Sequence, residues 1–210
     1  MQPNLKENKM EYPEFYKEVK AITMYDPLSE ILGSFTKGIV EFTYLDVVKA
    51  AGHSCPTVGG AYLITYKAIE ALYGDEMSVR GNIKVEFKES EEEGVAGVIG
   101  NGISNITGAT RVTGFKGLAG KHARHSLMYF DSNITSSARF TRTDTGKSVE
   151  VFYNPSMVGG NPKTQLLMQK VLMGEASEYE KLEFGNLWQE RVKAILIDNF
   201  DNENVIRVVS

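Results

Sequence analysis

His53 and Cys55 are the residues of this chain whose types and spacing could do chemistry. They lie in the run Gly52-His53-Ser54-Cys55-Pro56-Thr57-Val58-Gly59-Gly60. Cys55 is the only cysteine among 210 residues, and it sits two positions from one of only three histidines. A thiolate and an imidazole so close together can grip a transition-metal ion. The same pair can form a thiolate–imidazolium couple, the usual way to make a cysteine nucleophilic. A Cys-Pro pair beside a histidine can also serve as an axial site for haem. The stretch by itself leaves all three open.

The residues that follow say what must hold the pair. Pro56 suits the first position of a helix, where its missing N–H and fixed φ cost nothing. Ala61, Ile64, Ala68 and Leu72 then recur at helical spacing, which predicts a helix from about Pro56 to Tyr73. Cys55 therefore falls at or next to the N-cap, where free N–H groups and the positive end of the helix dipole would stabilise a thiolate. Gly59 and Gly60 weaken the first turns of that helix. They are expected to admit another backbone or a ligand, so Gly59 counts as a candidate binding residue.

The whole chain sets limits on what the pair can serve. Apolar residues make up 42% and charged residues 24%, as in a globular protein with a substantial core. A net charge of −4 with no dense basic cluster argues against binding nucleic acid. One cysteine rules out an intrachain disulfide and a Cys-rich structural zinc site. No run of about 18 apolar residues is present, so no membrane-spanning helix is expected. Met1 to Glu11 is polar and lacks the apolar stretch of a secretory signal, which makes a cytoplasmic location the expectation.

Met1 to about Asn8 reads as a frayed lead, and Tyr12 to Gly33 as one or two short helices broken near Asp26-Pro27. Tyr44 to Ala51 reads as a helix or turn that delivers the chain to the His53–Cys55 run. Asn82 to Phe87 alternates as a strand does, and acidic Glu89 to Glu93 reads as a solvated loop. Gly94 to Gly100, with Val95, Val98 and Ile99, suits a buried strand, with a short helix beginning at Asn101 or Ser104. The glycines from Gly102 to Gly120 signal close backbone approach, but their spacing gives neither a dinucleotide fingerprint nor a P-loop. Ser126 to Phe130 and Ala138 to Tyr153 supply further strands, with a hairpin at Asp144-Thr145-Gly146. After Asn161-Pro162 the pattern turns helical to Gly174. Phe184, Leu187, Trp188, Val192, Ile195 and Leu196 then stripe a last helix as packing surface, and a short Val205–Val209 strand closes the chain. The expected class is α+β, a mixed sheet packed against helices. Residues 1–160 are expected to form the core domain, and residues 161–210 a C-terminal helical extension packed on it.

Gly52-His53-Ser54-Cys55-Pro56 before a glycine-containing helix start resembles the G-H-x-C-P-G motif of the formylmethanofuran dehydrogenase E-subunit family. Thr107-Gly108-Ala109-Thr110, after an aliphatic and glycine-rich passage, is similar to that family's T-G-C-T. Lys116-Gly117 and Gly120-Lys121 are similar to its later glycine–lysine elements. The resemblance spans roughly Tyr44 to Tyr153. It implies an α+β core with helices on one side of a mixed sheet, assembly as a homodimer, and a metal or thiol site built on His53 and Cys55. The chain departs from the pattern in three places. Ala109 stands where the family has its second cysteine, Thr57 stands where a glycine follows Cys-Pro, and no cysteine-rich zinc finger follows Tyr153. His122 and His125 are the substitutes the sequence offers for the missing donor.

The leading expectation is accordingly a metal-binding protein, zinc first. His53 and Cys55 would be the ligands, His122 or His125 would complete the shell, and the partner would be a metal ion or small molecule. The alternative is a metal-free thiol enzyme, with Cys55 as nucleophile, His53 as base, and Lys116 or Lys121 as electrostatic helper. An accessory protein that grips haem or another small ligand through the glycine-rich segment is the remaining expectation.

Overall fold

The alternation in Asn82–Phe87 and Ala138–Tyr153, and the helical period after Pro56, both reappear in the computed structural model, which describes residues 10–210. The lead expected over Met1 to about Asn8 lies outside the described residues. In chain order, a 3-10 turn (Glu14–Lys17) precedes β1 (Ile22–Tyr25), α1 (Pro27–Ile31), β2 (Ile39–Phe42), α2 (Tyr44–Ala51) and α3 (Pro56–Tyr73). Then come β3 (Ile83–Glu86), α4 (Ala96–Thr107), β4 (Met128–Tyr129), β5 (Ala138–Arg142) and β6 (Ser148–Tyr153). The chain finishes with α5 (Lys163–Met173), α6 (Glu178–Lys193), a π-helical turn (Ala194–Asp198) and β7 (Ile206–Val209).

β1 and β2 pair as a separate antiparallel ribbon, and the other strands form one sheet in the order β4-β3-β5-β6-β7. Only β3–β4 is parallel, so the sheet is mixed. Along β6, Val149 and Val151 are buried while Glu150 and Phe152 turn outward, the period of two that the sequence predicts. Buried Ile83, Val85, Phe140, Val149 and Val151 make the apolar face, and α3 lies across β5, β6 and β7. The fold is α+β, with helices against a mixed sheet.

α3 is apolar nearly all round because it is enclosed. Tyr62, Leu63, Ile64, Ala68 and Leu72 are each buried, and α2, α4 and α6 pack against the helix. The segment after residue 160 shares this core. Val192, Ile195 and Leu196 join the same apolar cluster, and β7 pairs with β6 along the sheet edge. Full burial of one such side chain contributes about 1.5–3 kcal/mol, so these residues anchor the C-terminal helices firmly.

Two expected elements differ. The segment Gly94–Gly100 does not form a strand, because it opens α4. Ile99, Ile103 and Ile106 recur at helical spacing across the whole of 96–107, and a window ending at Gly100 cuts that period short. Gly102 lets α4 approach α3, since a Cβ there would stand 2.7 Å from the Ala61 methyl. The region expected to hold one or two short helices has two, Glu14–Lys17 and α1, with the second starting at the expected break at Asp26-Pro27, but Ile22–Tyr25 between them is a strand. Asp26 caps α1 by accepting from the Leu28 and Ser29 N–H groups at 2.9 and 3.1 Å. Strand β4 covers two residues of the expected Ser126–Phe130 stretch.

Candidate functional site

The loop between α2 and α3 is fixed at both ends before its side chains are considered. Thr43 and Asp46 close a capping box at the start of α2. At the far end Gly52 takes the left-handed conformation, φ 76°, which ends the helix and turns the chain toward His53. Cys55 is the N-cap of α3 in extended conformation, and its sulfur accepts the Val58 N–H at 3.5 Å. The expected placement of Cys55 at the mouth of this helix holds.

His53 and Cys55 meet. His53 Nε2 lies 3.4 Å from Cys55 Sγ, and Nδ1 lies 3.1 Å from the Ala51 carbonyl oxygen. A carbonyl can only accept, so Nδ1 carries the proton and Nε2 presents its lone pair to the thiol. The Cys55 S–H then donates to Nε2. His53 is exposed and Cys55 half-buried, so the pair is reachable from solvent.

Between them, Ser54 faces inward. Its carbonyl accepts from Trp188 Nε1 at 3.0 Å and from Gln189 Nε2 at 3.2 Å, both on α6. Its hydroxyl donates to Gln189 Oε1 at 2.9 Å and accepts from the Tyr44 hydroxyl at 2.8 Å. Tyr16 donates to the same Gln189 oxygen at 3.3 Å. On the other side of Cys55, the Tyr153 hydroxyl donates to the Pro56 carbonyl at 2.8 Å. Burial pushes the Tyr44 and Tyr153 phenols well above their ordinary range, so both stay protonated hydrogen-bond donors.

Gly60 admits a close approach, by a side chain of this chain, whereas Gly59 stands at ordinary packing distance. A Cβ at Gly59 would meet Val192 and Leu196 at 3.5 Å, and one at Gly60 would collide with the Tyr153 ring. Gly59 lies where α3 packs against Val192 and Leu196. Lys116, Lys121, His122 and His125 lie in the long connection between α4 and β4, outside any helix or strand. Lys116 and Lys121 are exposed, His122 takes a left-handed φ of 59°, and His125 Nδ1 is 2.9 Å from Ser126 Oγ. Ala109 is wholly buried in the core. Among the described residues, no three His, Cys, Asp or Glu side chains gather as a metal-holding group. Neither His122 nor His125 therefore joins His53 and Cys55 in such a group within this chain.

No protein-family model matches the chain, and no curated protein shows a significant match. The site is read from its own atoms. Sequence reasoning missed Ser54, Tyr44, Gln189 and Tyr153, and it read Trp188 first as packing surface. The one available signal was that Trp188 is the single tryptophan and carries an N–H that needs a partner when covered.

Proposed function

We propose that this protein works through Cys55 as a nucleophilic thiol, with His53 as its base, in an α+β chain resembling the formylmethanofuran dehydrogenase E-subunit family. The observation that carries the reading is the 3.4 Å contact between Cys55 Sγ and a His53 ring whose Nδ1 is tied to the Ala51 carbonyl. Nε2 takes the thiol proton, and the thiolate forms a bond to an electrophilic carbon of a small-molecule substrate. The imidazolium returns the proton to the group that leaves or to the adduct. The anion forms at the N-terminus of an 18-residue helix, beside the Val58 N–H, where the dipole favours negative charge.

A second reading, capture of a zinc ion, is favoured by one distance. Zinc bonds of about 2.0 Å to nitrogen and 2.3 Å to sulfur, set tetrahedrally, hold the two donors about 3.5 Å apart. His53 and Cys55 thus fit one edge of a zinc shell, and the Nδ1 bond to Ala51 is the kind of support a ligating histidine receives. They do not fit a whole shell, because no third protein donor joins them among the described residues. The other positions would fall to water, a substrate or a second copy of the chain. The exposed apolar side chains on α5 and α6 support the homodimer that belongs to the same proposal.

Two measurements on untagged protein separate these readings. Metal analysis is paired with mass-detected alkylation by iodoacetamide at neutral pH, for wild type, His53→Gln and Cys55→Ser. The thiol reading expects metal-free protein that takes up one label on Cys55, about tenfold or more slowly in His53→Gln. Stoichiometric zinc that vanishes in Cys55→Ser would establish the second reading instead. Equal labelling of wild type and His53→Gln, without metal, would overturn both.

A further inference from the structure

The peptide that joins the two reactive residues is held by a helix more than 130 residues away in the chain. The Ser54 carbonyl and hydroxyl together receive or make four hydrogen bonds, and three of them go to consecutive α6 residues, Trp188 and Gln189. Gln189 grips Ser54 with both ends of its amide: Nε2 donates to the carbonyl and Oε1 accepts from the hydroxyl. The amide's orientation is set by its partners, since two hydroxyls point at its oxygen and a carbonyl at its nitrogen. α6 is itself seated on α3 one turn further along, where Val192, with Leu196 of the π-helical turn that follows, fills the space over Gly59. Helix and loop are therefore registered to each other at two points.

From this geometry we infer that Trp188 and Gln189 are positioning residues for the His53–Cys55 pair, and that the C-terminal helices are part of the site. Neither side chain is among the hydrogen-bond partners of the Cys55 sulfur or the His53 ring. They act through Ser54. His53 and Cys55 flank it, so turning the Ser54 peptide changes the direction of both neighbouring Cα–Cβ bonds. A contact that depends on two side chains converging to 3.4 Å does not survive that turn. Removing the donors leaves a buried carbonyl without partners, and the loop is then driven to rotate it toward water. The inference rests on the thiol reading of the site, and it adds that the last 50 residues set the alignment of the pair.

The test compares Trp188→Phe, which keeps an aromatic ring and loses the N–H, with Gln189→Met, which keeps the length and loses both bonds. Ile83→Val, at a buried β3 residue with no part in seating α6 on the loop, is the control for loss of stability alone. Two readouts are taken on folded protein at neutral pH. They are the Cys55 alkylation rate and the nitrogen NMR signature of the His53 tautomer. Expected is a fall of about fivefold in rate for Trp188→Phe, the effect of losing one hydrogen bond's alignment, and a larger fall for Gln189→Met, which loses two. The Nε2-protonated tautomer should appear in both, while Ile83→Val keeps wild-type rate and tautomer even as its melting temperature drops.

Wild-type rate and tautomer in Trp188→Phe and Gln189→Met would overturn the inference while leaving the thiol reading intact. Should both variants prove unfolded, Gln189→Glu supplies the decision. It keeps the bonds from the Ser54 and Tyr16 hydroxyls and replaces the donor to the Ser54 carbonyl with an acceptor. An unchanged rate and tautomer there would overturn the inference too. If wild type shows no His53-dependent alkylation, the thiol reading falls and takes the inference with it, a result distinct from the other two.

Discussion

Because a backbone carbonyl only accepts, the bond from His53 Nδ1 to Ala51 sets the tautomer of the ring, and the tautomer sets the direction of proton transfer from Cys55. The two glycines after the pair serve it indirectly. Gly60 is the tighter of the two, since the Tyr153 ring occupies the space a methyl would need and its hydroxyl holds the Pro56 carbonyl. Gly60→Ala should cost about 1–3 kcal/mol as overpacking, read as a lowered urea midpoint at unchanged slope. It should also slow Cys55 alkylation, because Tyr153 must move away from Pro56. An alanine variant with wild-type stability would show that Tyr153 does not define this wall. The residues that carry the chemistry were legible in the sequence, since a lone cysteine two places from a histidine is a local pattern. Their supports were not. Nothing in the sequence pairs Ser54 with Gln189, because the two stand 135 residues apart in the chain and only the tertiary fold brings them together.

Among the elements, α3 and the β5–β6 hairpin could be read directly, as a long helical period and an Asp-Thr-Gly turn are strong local signals. α4 was harder to read, because Val95, Val98 and Ile99 cluster as in a buried strand and the helical period of Ile99, Ile103 and Ile106 shows only over the whole of 96–107. The elements before and after it are joined by a small buried ion network. Asp26, the N-cap of α1, accepts from Arg80 at 3.0 Å and from Arg124 at 2.7 Å, and Arg80 also donates to the Ile106 and Asn105 carbonyls at the end of α4. Burial pushes the Asp26 carboxyl up, but the Ser29 N–H and the two guanidiniums outweigh it and hold it below the ordinary carboxylate range. A depressed folded value means the ionised form favours the native state. The stabilisation is thus full above about pH 4 and is lost as pH falls through the folded value. Asp26→Ala should cost about 3–5 kcal/mol at neutral pH, because it strands Arg124, whose Nε already lacks a partner. The gap between wild type and variant in urea denaturation should narrow below about pH 4. A gap that stays constant down to strong acid would contradict this account of the network.

For the molecule as a whole, the C-terminal 50 residues are covered on one side and bare on the other. Leu172, Met173, Tyr179 and Leu182 are 79%, 70%, 74% and 65% exposed, a concentration of apolar surface on α5 and α6 that a single copy leaves in water. Light scattering should therefore find a dimer, and Leu172→Lys with Leu182→Lys should release monomers that keep the wild-type circular dichroism spectrum. A wild-type monomer at the same concentration would contradict the homodimer. No helix among the described residues is long and apolar enough to cross a membrane, so this surface is not a helical membrane span.

The central claim, that His53 activates Cys55 at the mouth of α3, meets its most direct test in one ratio. It is the rate at which iodoacetamide alkylates Cys55 in the folded chain at neutral pH, divided by the rate in the same chain unfolded in urea. Half-burial alone would protect the sulfur and put the ratio below one, whereas a thiol sharing its proton with His53 should put it well above one. A folded chain that reacts more slowly than the unfolded one would contradict the account.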